Sequence, residues 1–174
     1  MSDGEIIERL RERLAISSGR HLYGVLGPYP ALARFADRLQ EAPFTDSAHF
    51  PAPIQVNQAV LDAIPDQEFR NLASDEARYP EPTAKHVARA FDSFLRARLR
   101  ESDLLVLSSL ELLFAYNLEL SPLRTLATDE KRILLLLPGK RRQERVIMFP
   151  DLSEEQRTLP TNLIAENHLW ELSG

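Results

Sequence analysis

With 174 residues, 44% of them hydrophobic and 27% charged, the chain has the size and composition of one globular domain able to bury its own core. It contains no cysteine, which excludes disulfides, thiolate metal sites and a cysteine nucleophile. A net charge of −5 works against non-specific attraction to nucleic acid over the whole surface, while leaving room for a local basic patch.

The first residues, Met1-Ser2-Asp3-Gly4-Glu5, are acidic and polar, unlike the basic and apolar stretches of a secretory signal. Apolar runs such as Ile133 to Pro138 are too short to span a bilayer. The expectation is a cytoplasmic protein with no membrane association.

Ile6, Ile7, Leu10 and Leu14 recur at helical spacing, which predicts an amphipathic helix capped by Asp3 and stopped by Gly19. His21 to Leu26 reads as a strand ended by Gly27-Pro28. Leu32, Phe35, Ala36 and Leu39 then mark a helix over Ala31 to Ala42. A proline-rich loop from Pro43 to Pro53 follows, pinned to the body by Phe44 and Phe50. Ile54-Gln55-Val56 reads as a short strand and Ala59 to Ile64 as a short helix. Pro65 to Pro82 reads as short helix and loop. Val87, Phe91, Phe94, Leu95 and Leu99 form the apolar stripe of a helix over Ala84 to Glu101, with Lys85, Arg89, Arg96, Arg98 and Arg100 on its other positions.

Asp103 to Ser108 is a nearly all-apolar strand, the kind expected when helices cover both faces of a sheet. Leu110 to Phe114 follows, with a break near Tyr116-Asn117. Ser121-Pro122 opens a short helix, with Ser121 as its cap. Lys131 to Leu137 reads as a second buried strand that ends at Pro138-Gly139. Arg145 to Phe149 and His168 to Leu172 read as two further strands in an antiparallel edge. Alternating strands and helices predict a single α/β domain, a three-layer sandwich with a mainly parallel sheet, arranged like a phosphate-loop NTPase.

Ligands of such sheets bind beyond the carboxyl ends of the strands, so three turns carry the candidate chemistry. The first, Gly27-Pro28-Tyr29-Pro30-Ala31, sits where a phosphate loop would. A working loop needs converging amides, a lysine and a hydroxyl for magnesium. Here two prolines remove amides, the chain's lysines are Lys85, Lys131 and Lys140, and the nearest cation is Arg34. The second turn ends in Ser108-Ser109, neutral where magnesium would need a carboxylate, with Glu111 just beyond as a candidate base. The third, Pro138 to Arg142, starts the densest positive cluster: Lys140, Arg141, Arg142 and Arg145. These residues fit a contact with phosphate or an acidic partner; the plainer reading is a solvated loop between edge strands. Gly27, Arg34, Ser108 and Glu111 fit either a degenerate nucleotide site or an ordinary strand-to-helix turn. Glu166, His168 and Trp170 share one face of the last strand; the four histidines show no metal-ligand spacing.

The run Leu105 to Phe114, followed by Leu118 to Leu126, resembles the BrxF family, small phosphate-loop proteins of BREX bacteriophage-resistance systems. The resemblance implies a magnesium-binding acid where this chain has Ser108. It matches the family's Leu-Phe pair with Leu113-Phe114, and an Asp-Pro-Leu element with Ser121-Pro122-Leu123. It places the phosphate loop at Gly27 to Ala31, where Gly27 alone survives. Residues 134 to 149 are also similar to another BREX component, BrxB, through the apolar strand, the Pro-Gly turn and Val146 to Phe149.

The resemblance implies contact with a larger ATPase or a PglZ-type phosphatase, and the departures from it at Gly27 to Ala31 and at Ser108 lead to the expectation of a non-catalytic accessory subunit without bound cofactor. Tyr29, Tyr116 and Trp170 are candidate exposed anchors for that partner. Two alternatives stand beside it: a nucleotide-dependent switch using non-standard residues, and a DNA-binding module built on Arg89 to Arg100 with Lys140 to Arg145.

Overall fold

Helix α1 (Asp3–Leu14) is capped by Ser2 rather than Asp3. The Ser2 hydroxyl accepts from the Glu5 amide, and the Glu5 carboxylate accepts from the Ser2 amide at 2.8 Å, a reciprocal pair that satisfies two free donors. The computed structural model describes residues 1–45, 47–75, 80–151 and 157–173. In chain order after α1 come β1 (Leu22–Gly27), α2 (Tyr29–Glu41), the small antiparallel pair β2 (Pro43–Thr45) and β3 (Ala48–His49), then β4 (Ile54–Gln55). Next are α3 (Val56–Asp62), α4 (Asp66–Asp75), α5 (Pro80–Glu101), β5 (Leu104–Ser108), α6 (Glu111–Ala115) and α7 (Ser121–Leu126). The chain ends with β6 (Arg132–Arg142), β7 (Arg145–Met148), β8 (Arg157–Thr158) and β9 (Leu169–Glu171). Of the segment read as helix and loop between Pro65 and Pro82, residues 76–79 lie outside the described residues.

The central sheet runs β4-β5-β6-β1-β9, and every pairing along it is parallel. Because side chains alternate along a strand, each strand feeds two cores. Leu22, Leu26, Leu105, Leu107, Ile133, Leu135 and Leu137 face the core built with α3, α5, α6 and α7. Tyr23, Val25, Leu104, Val106, Leu134 and Leu136 face the core built with α1 and α2. The continuous apolar strands of the sequence are therefore explained by helices on both sides: a three-layer α/β sandwich. Phe44 and Phe50 meet at 5.2 Å between ring centroids and fasten the β2–β3 excursion to the second core. Among the described residues, no helix is long and apolar enough to cross a membrane.

Four expectations need correction. β6 does not end at Pro138-Gly139; it continues to Arg142 and there pairs antiparallel with β7, which pairs with β8. Pro138 still accepts from the Phe149 amide at 2.7 Å, and Gly139 lets the partner strand come close. A Cβ at residue 139 would lie 2.7 Å from the Ile147 carbonyl oxygen. The Pro-Gly step is thus a bend inside one strand. The antiparallel edge consists of β7 and β8, whereas β9 joins the parallel sheet beside β1. Residues Glu166–His168, read as part of that last strand, form a 3₁₀ turn leading into it. Ser121 is the first residue of α7 rather than its cap, which is Leu120.

Candidate functional site

The helix after β1 turns to one face of the sheet, and those after β4 and β5 turn to the other. Their first turns flank the carboxyl edge, where open α/β sheets hold ligands. Tyr29 opens α2, Asn57 lies in the first turn of α3, and Glu111 opens α6. Their side chains meet. The Tyr29 hydroxyl donates to Glu111 Oε1 at 2.6 Å, and Asn57 Nδ2 donates to Glu111 Oε2 at 2.8 Å. Asn57 also uses its Oδ1 to accept from the Leu112 amide at 2.9 Å, and its own amide donates to the Ser109 carbonyl at 2.9 Å. Ser109 has a φ of 54°, in the left-handed region that a non-glycine residue seldom adopts. It turns the chain from β5 towards α6. Ser108 donates through its hydroxyl to the Ile54 carbonyl at 3.4 Å and ties β5 to β4.

Tyr29 is held as a neutral donor. Burial first, then the hydrogen bond and negative charge of Glu111 and the charge of Asp151, push its hydroxyl well above the usual phenol range. Each Glu111 oxygen accepts one of these hydrogen bonds, so the side chain is held in place. The helix end offers little to an anion. Pro30 has no amide, and the Ala31 and Leu32 amides both go to the Pro28 carbonyl at 3.0 Å. A fixed carboxylate beside that end adds repulsion to the missing donors.

The four residues expected around a nucleotide are placed unequally. Gly27, Ser108 and Glu111 lie at the carboxyl edge. Gly27 is covered, because a Cβ there would sit 3.1 Å from Leu172 Cδ1. Arg34 lies on the exposed side of α2 and forms no ion pair among the described residues.

Lys140, Arg141, Arg142 and Arg145 lie on paired strands rather than a loop: Lys140 faces Ile147, Arg141 faces Val146, and Arg142 faces Arg145 across the β6–β7 ladder. Arg141 is anchored, its guanidinium donating to the Leu169 carbonyl at 2.9 Å.

No protein-family model, curated protein or solved structure matches this chain.

At the opposite end of β1 is a buried polar and aromatic cluster. His21 Nδ1 lies 2.7 Å from the Tyr23 hydroxyl, which donates to the Arg13 carbonyl at 3.3 Å. The Tyr23 ring packs against His168 at 4.6 Å and stacks on Trp170 at 5.9 Å. Trp170 is therefore core, not an exposed anchor. Tyr29 is exposed, as expected, with its hydroxyl committed to Glu111. Burial raises the Tyr23 hydroxyl to about 12. His21 lies below its ordinary 6.5, through burial and then the Arg132 charge, against a smaller opposing pull from Asp129. His168 is also lowered, through burial and then Arg13, with the Leu22 backbone opposing.

An unfolded chain protonates these histidines first as the pH falls. The stability they contribute as neutral groups is complete above about pH 6.5 and drains away as the pH drops towards the lowered native values. The urea unfolding midpoint is expected to fall between about pH 7 and about pH 5, and a His21→Gln, His168→Gln double variant should show a flatter profile. An equally steep profile in that variant would place the titration elsewhere.

Asn57 was not legible as a site residue, since asparagine in a short helix carries no motif. Its signal is weak: a polar residue directly after a strand, at a helix start where side-chain oxygens cap amides.

Proposed function

We propose that the chain is a non-catalytic accessory subunit acting through protein–protein contacts in a phage-defence assembly of the BREX type. A larger ATPase or a PglZ-type phosphatase is the partner class. The fold in this reading is a phosphate-loop framework whose site has closed. The observation that carries it is the Tyr29–Glu111–Asn57 cluster at the carboxyl edge. A carboxylate occupies the neighbourhood where phosphate and magnesium would gather, and among the described residues it is held by two hydrogen bonds rather than paired with a cation. Prolines at 28 and 30 and the cover of Leu172 over Gly27 act in the same direction. The defence-system context rests on the resemblance of residues 104 to 149 to BrxF and BrxB.

Affinity capture of the tagged protein from its host, followed by mass spectrometry, is expected to return a defence-system ATPase or phosphatase. Its absence would sink the reading. ATP hydrolysis by the purified chain, abolished by Glu111→Gln or Arg34→Ala, would overturn the non-catalytic part.

A further inference from the structure

The hairpin made by β6 and β7 folds back over the first core and leaves a cleft of about 1020 Å³ beneath it. Four arginines line this cleft, each from a different place in the chain: Arg20 just before β1, Arg124 on α7, Arg141 on β6 and Arg145 on β7. Two are neighbours in the hairpin; the fold alone brings Arg20 and Arg124 to them. None of the four forms an ion pair with a described carboxylate, although Glu144 and Glu166 also line the cleft. Among the described residues, four guanidinium groups against two carboxylates make a local positive excess on a chain whose net charge is −5.

The cleft is also positioned. Arg141 is held by its bond to the Leu169 carbonyl at 2.9 Å. Arg20 follows Gly19, whose φ of 117° requires glycine and whose amide donates to Asp129 at 2.7 Å. Thr158, Thr161 and Asn162 add hydroxyl and amide groups to the wall, while Leu22, Val146 and Leu169 supply an apolar side.

Guanidinium forks match phosphate oxygens in pairs, and phosphate chains require several at once. Small-molecule sites hold roughly 300–1,000 Å³ and combine apolar lining with a few convergent polar groups. We propose that this cleft binds a di- or triphosphate group carried on a small organic body, a nucleotide being the class of ligand that fits. The site shares no residue with the Tyr29–Glu111–Asn57 cluster, so it goes beyond the accessory-subunit reading and does not depend on it. No hydrolysis is part of the proposal.

The test is calorimetric titration of the whole protein with inorganic pyrophosphate and, separately, with a nucleoside triphosphate. Saturable binding is expected, weakened by added salt and weakened about tenfold or more by Arg124→Ser with Arg145→Ser. The charge-matched pair Arg89→Ser with Arg96→Ser, on α5, should bind as the parent does. Tighter binding of the nucleotide than of pyrophosphate supports the proposal with the organic body inside the cleft. Equal binding supports it with contacts to phosphate alone. All four substituted arginines are exposed, and matching thermal melts check that the variants fold. Should the double variant not fold, Arg145→Ser alone carries the comparison. No binding of either ligand at about 5 mM, or equal loss in both variant pairs, would overturn the proposal. So would binding of an oligoglutamate peptide in place of both phosphates, which would make the cleft a groove for acidic peptides.

Discussion

Phe91→Ala is expected to lower the free energy of unfolding by about 3–5 kcal/mol. Phe91 is 1% exposed at the centre of α5, where Val87, Phe94, Leu95 and Leu99 complete one apolar stripe at spacings of three and four residues. That stripe joins the core holding Leu105, Leu107, Ile133 and Leu135, so truncation opens a cavity between helix and sheet. Neighbours drawn from several elements cannot all relax into it, because native interiors are close-packed. Urea denaturation with an unchanged slope would give the loss directly. A change below about 1 kcal/mol would mean that α5 does not cover the sheet as described.

The second large effect is expected at the carboxyl edge. Asn57→Ala removes the donor to Glu111 Oε2 and the acceptor for the Leu112 amide in one change. Each half-buried group left without a partner costs about 1–2 kcal/mol, the low end for groups that water partly reaches, so a total near 2–4 kcal/mol is expected. Glu111→Gln keeps an acceptor for one neighbour and should cost clearly less. Equal costs for the two variants would show that the charge of Glu111, rather than Asn57 as a bridge, organises the edge. Amide exchange at Leu112 reports the bridge independently, since loss of its acceptor should speed exchange there more than in α5.

Much of the architecture was readable because the strongest signals were local. The runs Leu104 to Leu107 and Ile133 to Leu137 are apolar at every position, and such strands need cover on both faces. The stripe through Val87 and Leu99 fixed α5 in the same way. What escaped was set by contacts between distant segments. β9 pairs parallel with β1 through Trp170 opposite Val25, and three residues carry no hint of their direction. β6 reads as ending at Pro138 because proline and glycine usually interrupt strands. Only the approach of Ile147 explains why it continues.

The candidate site divides along the same line. That Pro28 and Pro30 offer no amide to a phosphate is visible in the sequence, since proline lacks one wherever it stands. The bonds that join Tyr29, Asn57 and Glu111 at the carboxyl edge are not, because Tyr29 and Glu111 are far apart in the chain, and so are Asn57 and Glu111. The basic cluster at residues 140 to 145 was legible as charge. Its convergence with Arg20 and Arg124 was not.

One strand, β6, serves both the parallel sheet and the antiparallel hairpin without a break. Its first half is wedged between β5 and β1, and its second half bears Lys140, Arg141 and Arg142. A flexible arm would let a bound partner or ligand swing independently of the body. Here the continuous strand, paired along both halves, ties the hairpin directly to the sheet. Whatever grips the arginines takes hold of the middle of the sheet, so torque applied at the hairpin would turn the whole domain.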